Sequence, residues 1–344
     1  MIVISVASVL AFIATWVGTW LMTRWLTGRG IIDRPGTRSS HDRPVPKGAG
    51  AAVIAVLLTT WVVLALMGLV PRGILGISGL AVALAAVSWR NDLKDLSVTL
   101  RLAVQIASVI VALLGWPNRG MLFQGLLPVW LDQTLTAVAW LWFINLFNFM
   151  DGADGMTGVV TLVIGLGTAL IAALTGVLPD GYFLLGVTLA AVAAGFLPWN
   201  WYPARVFLGD VGSVPLGFVV AWLLLALAGR GFWAPALLLA LYYLADATLT
   251  LAHRLIKREP FWRAHKTHFF QRALGRDGNH AAVVRLVLAG SIALVVAAVA
   301  AIWQPWPALC AGAAITGALM LVLLRRSKVA AEDWRSARAV SPRE

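Results

Sequence analysis

The chain has 344 residues, of which 60% are hydrophobic and only 12% charged, with a mean hydropathy of +0.85. A soluble globular chain is about 45–50% apolar and about 25% charged, so the composition excludes that class and points to an all-α polytopic membrane protein. The formal charge of +12 is then first a topology signal, and no nucleic-acid partner is expected.

At roughly 20 residues per spanning helix, apolar runs bounded by charge, Pro or Gly predict eleven transmembrane helices, near 2–26, 49–70, 72–89, 99–115, 132–149, 156–178, 181–197, 213–228, 232–252, 283–303 and 305–324. Residues 1–324 read as one membrane domain and 325–344 as a basic cytoplasmic tail. The first run has no basic segment before it and is read as a retained anchor. Cys310, the single cysteine, lies in an apolar run, so no disulfide is expected.

Placing the loop after the first run in the cytoplasm leaves only Arg72, Arg119 and Arg230 on the other side. The positive-inside rule therefore puts the N-terminus outside and the C-terminus in the cytoplasm. The carboxylates sort the same way: only Asp132 and Asp180 fall outside, and Asp246 sits within the ninth run.

Five polar stretches interrupt this pattern. The loop 30–50, with His41, Arg43, Lys47 and a Pro/Gly ending, reads on composition alone as a basic, semi-rigid connector. In 88–101, Ser97 can cap the fourth helix, whereas Asp92 has no such role. Residues 145–158, NLFNFMDGADGMTG, bring together Asn145, Asn148, Asp151 and Asp154; if the helix continues, Asn148, Asp151 and Asp154 share a face, and the alternative is a capping turn. In 199–218, Asp210 lies between glycines just before a span, a pattern that suits Mg²⁺ and phosphate and equally suits an N-cap. The loop 253–282 holds four of the five histidines; its basic charge suits a phosphate or nucleotide, or a membrane-apposed surface.

Together these stretches resemble the polyprenyl-phosphate N-acetylhexosamine-1-phosphate transferase family. The pieces occur in the family's order: D-x-P-x-x-R-S-S-H-x-R-P-x-P-x-G-x-G at 33–50, an Asp-Asp-x-x-x-Leu-Ser loop at 91–97, N-x-x-N-F-x-D-G-x-D-G at 145–155, F-x-G-D-x-G-S at 207–213 and H-x-x-H-x-x-Q-R at 265–272. The last of these looks closest to the O-antigen-initiating branch. Asn91 departs from the pattern, standing where the family has the first of two aspartates.

The resemblance implies transfer of a sugar phosphate from a UDP-N-acetylhexosamine to undecaprenyl phosphate at the cytoplasmic face of a bacterial inner membrane, with Mg²⁺, or Mn²⁺ in its place, as cofactor. It implies catalytic roles for Asp92, Asp151, Asp154 and Asp210, with Asp210 and Asp151 at the metal. Substrate contacts fall to Asn148, His41, Arg43, Lys47, His265, His268, Gln271 and Arg272, and a homodimer is compatible with it. The rival expectations are a polytopic transporter or flippase and a catalytically degenerate member of the same fold, the latter resting on Asn91.

Overall fold

The structure, a computed structural model, describes residues 2–36, 41–116, 120–176, 180–259, 266–275 and 279–340. In chain order it comprises α1 (Ile2–Arg29), β1 (Ile32–Asp33), β2 (Val45–Pro46), α2 (Gly50–Leu66), α3 (Ile74–Leu93), α4 (Val98–Leu114), α5 (Val129–Met150) and α6 (Met156–Thr175). There follow α7 (Asp180–Asn200), α8 (Asp210–Leu227), α9 (Trp233–Ile256), α10 (Phe269–Leu274), α11 (His280–Ala300) and α12 (Pro305–Val340). The strands pair antiparallel, Ile32 with Pro46 and Asp33 with Val45.

Every predicted apolar run falls on a helix. Seven helical stretches among the described residues are long and apolar enough to cross a membrane, with α2 and α4 as shorter apolar helices. The protein is therefore an all-α polytopic membrane protein. Ser97 does cap α4, its hydroxyl accepting from the Leu100 N–H. Helices α8 and α9 are joined through a π-helical turn, Ala228–Phe232, where Gly231 takes φ 93° and bends the chain. Helix α12 continues past the apolar stretch to Val340, and the short α10 is an element that hydropathy alone does not announce.

Lipid tails are as apolar as leucine, so membrane helices are held by close packing and buried hydrogen bonds. Helices α6 and α7 meet at Gly165 and Gly186, where a Cβ on either would strike the carbonyl of the other. Helix α8 is buried along nearly its whole length. The Trp140 indole N–H reaches the Phe218 carbonyl on α8 at 2.9 Å, and that of Trp61 reaches the Thr188 hydroxyl at 3.1 Å.

One end of the bundle gathers the polar loops. The segment after β2 lies along the chain before α8: Phe207 N–H donates to the Pro46 carbonyl, and Gly48 and Ala49 N–H donate to that of Phe207. The end of the basic loop, residues 46–50, is thereby fixed against the chain that leads into α8.

Candidate active site

The N-terminus of α8 organises the site. Gly209, at φ 77°, turns the chain into the helix, and a Cβ there would meet the Asp92 carboxylate. Asp92 accepts from the Asp210 and Val211 backbone N–H groups at 3.1 and 2.9 Å, occupying the helix's free amides, where the dipole favours negative charge. Its Oδ1 lies 2.9 Å from Lys47 Nζ. Asp92 is thus fully engaged as an anchor for α8 and Lys47 and does not line the cavity. Its neighbour Asn91 donates to Asp210 Oδ2 at 2.8 Å and accepts from the Leu96 N–H. Arg101, on α4, stands 3.6 Å from the same Asp210 oxygen.

Helix α5 ends at Met150, and Asp151, with ψ 45°, has left helical geometry. Asn148, Asp151 and Asp154 therefore do not share a helix face as the spacing suggested; a tight turn brings them together instead. Asp154 is pinned from outside this turn. It accepts from the Ala204 N–H at 2.9 Å and faces the His280 ring nitrogen Nδ1 at 3.1 Å, while Gly155 N–H donates to Asn200. The Asn148 side-chain oxygen accepts from the Ser213 hydroxyl on α8 at 2.5 Å. Asn145 turns away from the turn and donates to Gln105 on α4.

These elements enclose a polar cavity of about 260 Å³, in whose wall stand His41, Lys47, Asn148, Asp151, Asp154 and Asp210, with Gln271 and His280 opposite. The His41 ring meets Phe207 edge-on, and its Nε2 is buried without a hydrogen-bond partner among the described residues. A small recess beside the cavity shares His41, Asp154, Phe207 and His280 with it and adds Arg43. On the other side lies an apolar groove of about 430 Å³ between α3, α4, α5 and α8, with Arg101 and Gln105 as its polar groups on α4. Asn148 and Asp210 stand in the walls of both.

The expectation for the second histidine of the 265–272 motif needs correcting. His268 is buried and faces Asp246 at 3.2 Å, and Asp246 also accepts from the Phe269 and Phe270 N–H groups and from the Tyr242 hydroxyl. An ionised group within a span needs such partners. The pair ties α10 to α9, and His268 does not reach the cavity. Gln271 does, whereas Arg272 is exposed and lines neither the cavity nor the recess; His265 lies outside the described residues.

Arg101, Asn200 and His280 are site residues that the sequence reading did not select. Each was in view within a polar stretch, but Arg101 and His280 look like ordinary charges at the ends of spans.

Electrostatically, the cavity sets cation against anion. Burial works against the charge on Lys47, but the carboxylates of Asp92 and then Asp210 outweigh it and hold the lysine pKa above its ordinary value. Asp151 is pushed up to about 7, chiefly by burial; the Thr157 hydroxyl lowers it and the Asp210 charge adds to the rise. Among the described residues no cluster of three His, Cys, Asp or Glu forms a closed metal cage. Two facing carboxylates suit Mg²⁺, which keeps waters and takes one or two carboxylates plus substrate phosphates.

A helical membrane protein in which a carboxylate-lined cavity and an apolar groove share two wall residues has the layout for joining a water-soluble anion to a membrane-held one. Residues 74–228 match the family model for glycosyl transferase family 4. The chain is 25% identical to a Bacillus subtilis protein named "Probable undecaprenyl-phosphate N-acetylglucosaminyl 1-phosphate transferase", over 88% of this chain and 87% of that one. It is 27% identical to the decaprenyl-phosphate N-acetylglucosaminephosphotransferase of Mycobacterium leprae, over 80% and 78%. To the undecaprenyl-phosphate alpha-N-acetylglucosaminyl 1-phosphate transferase of Escherichia coli K12 it is 31% identical, over 57% and 55%. The family match over residues 74–228 and the relatives' shared activity support a place among the polyprenyl-phosphate N-acetylhexosamine-1-phosphate transferases.

Proposed function

We propose that the protein transfers N-acetylhexosamine 1-phosphate from a UDP-sugar to undecaprenyl phosphate, releasing UMP and leaving a lipid-linked pyrophosphoryl sugar. The observation that carries this reading is the shared wall: Asn148 and Asp210 belong to both the polar cavity and the apolar groove. A donor pyrophosphate in the cavity and an acceptor phosphate at the head of the groove meet at those two side chains.

In the transfer, an oxygen of the acceptor phosphate attacks the phosphorus that carries the sugar. The bond from that phosphorus to the UMP oxygen breaks, and its electron pair leaves with UMP. Both reactants are anionic, so the protein's work is positioning and charge neutralisation. Lys47, paired with Asp92, and Arg101, 3.6 Å from Asp210, supply fixed positive charge at the site. His41 Nε2 offers a buried polar atom to the donor, with Gln271, Asp154 and His280 closing the far wall. Arg43 serves the recess beside it. Asp151 and Asp210 would hold Mg²⁺, which when bound neutralises charge on the donor pyrophosphate. No general base is required, because a phosphate monoester with a second pKa of about 6 is already mostly a dianion at neutral pH. Asp92 then acts by holding Lys47 and the start of α8.

The positive-inside pattern supports a cytoplasmic site in a bacterial inner membrane. The form His268-Phe269-Phe270-Gln271-Arg272 supports initiation of a surface polysaccharide of the O-antigen kind. The test is to incubate proteoliposomes of the purified protein with undecaprenyl phosphate, Mg²⁺ and a panel of UDP-N-acetylhexosamines. UMP release matched by a lipid-linked product supports the reading. Absence of product with every donor overturns it.

A further inference from the structure

At the end of the bundle opposite the active site lies a second apolar cavity, of about 470 Å³, between the start of α3 and the end of α4. Its floor is aromatic: Trp222 packs on Trp116 and Tyr182 at 5.6 and 6.1 Å between ring centroids. Its α3 wall includes Gly73, Gly76 and Gly79, and a Cβ at any of them would meet nothing within 4 Å. The transferase reading gives this cavity no role.

The cavity is in line with the acceptor groove. On α3, Gly73, Ile77 and Leu80 line the far cavity and Leu84 and Val87 line the groove; those positions follow one another by three or four residues and so share one helix face. On α4, Arg101 and Gln105 line the groove and Ala112 and Gly115 the far cavity, again on one face, with buried Ser108 between them. From Arg101 to Gly115 the helix rises about 21 Å, against a hydrocarbon core of about 30 Å. A tail that begins beside Arg101 and follows this seam passes the bilayer midplane before reaching the aromatic floor. A phospholipid acyl chain ends near the midplane; a long polyprenyl chain does not.

We propose that the outer cavity between α3 and α4 is a binding site for the distal isoprenoid units of the acceptor lipid, making the seam a measure of polyprenyl chain length. The inference rests on the transferase reading, since it assumes an acceptor phosphate at Arg101 and Asp210. The gain is modest in kind. Moving an apolar tail from lipid to protein has no hydrophobic driving force, so the site acts through dispersion contacts and by fixing where the phosphate sits.

The test measures kcat/KM in detergent for undecaprenyl phosphate and for a short polyprenyl phosphate such as farnesyl phosphate, in the wild type and in Gly76→Leu. A Cβ at Gly76 meets nothing within 4 Å, so the leucine enters at the open cavity wall. The wild type should favour the long acceptor by about tenfold, equivalent to roughly 1.4 kcal/mol, and Gly76→Leu should lose that preference through the long acceptor alone. In the wild type, a diazirine on a distal isoprene unit of the long acceptor should label residues 73–80 or 111–116. Equal use of both acceptors by the wild type, equal loss on both in the variant, or labelling elsewhere overturns the tail site and leaves the transferase reading standing. No transfer to either acceptor overturns both.

Discussion

Asn91 Nδ2 lies 2.8 Å from Asp210 Oδ2 and donates to it, so the residue that departs from the family's paired aspartates is the neutral partner of the carboxylate at the head of α8. An aspartate at 91 would put two carboxylates in that contact and raise the demand for a cation between them. Asn91→Asp is expected to keep turnover within about tenfold of wild type at saturating Mg²⁺, or about 1.4 kcal/mol of barrier, and to need more Mg²⁺ for half-maximal rate. A gain of several orders of magnitude in UMP release would mean that a base at 91 is essential.

Asp92 and Lys47 form a pair in which only the carboxylate is fully buried. Breaking a buried pair by removing one partner costs 3–5 kcal/mol, and the partial exposure of Lys47 reduces this to about 1–3 kcal/mol here. Asp92→Asn is expected to lower the unfolding temperature and nearly abolish transfer. A double variant with Lys47→Gln should recover part of the stability and none of the activity. Additive losses in the double-mutant cycle would dissolve the pair as a unit.

The fold was legible because each span carries its own apolar run, and the cap of α4 because Ser97 lies next to the helix it serves. The convergence of the motif loops also followed from sequence, since an alternating chain of spans returns them to the same end. Three-dimensional partnerships were less accessible. The apolar run already ended near 149 and glycines follow at 152 and 155, but the sequence left open whether Asn148, Asp151 and Asp154 share a helical face or a turn, and only the fold decides for the turn. The inward turn of His268 depends on Asp246, 22 residues away. Arg101 belongs to the site only because α4, packed on α3 and α5, brings it within reach of Asp210 at the head of α8.

Asp246 holds the His268 ring and the Phe269 and Phe270 amides at the start of α10 and the Tyr242 hydroxyl on its own helix, and its loss would leave the two amides without their acceptor at about 1–3 kcal/mol each. Asp246→Leu should loosen residues 266–275 in hydrogen exchange and raise the donor KM through Gln271. Unchanged protection of that segment would reduce Asp246 to a tolerated polar residue.

Orientation is checked by single cysteines in a Cys310→Ser background. A membrane-impermeant thiol reagent added outside should label a cysteine at Arg230 and spare one at Thr267. The reverse pattern would place the polar cavity on the face opposite to the proposed one.

Asp151 gives the site a pH dependence of defined sign. Its carboxyl is pushed up to about 7, chiefly by burial, against about 3.9 in an unfolded chain, so the fold favours the protonated form. The stability it contributes is complete below the unfolded value and is lost as pH rises through about 7. A cation beside the carboxylate reverses the preference by favouring the ionised form. Without divalent ions, the melting temperature should therefore fall between about pH 4 and 7 and level off above, and saturating Mg²⁺ should reduce that fall. Mg²⁺ binding should weaken below pH 7, approaching tenfold per pH unit as the proton competes for the one carboxylate. Asp151→Asn removes the titrating group and should flatten both profiles; if both stay steep in that variant, another group carries the proton and Asp151 is not where the cation competes with it.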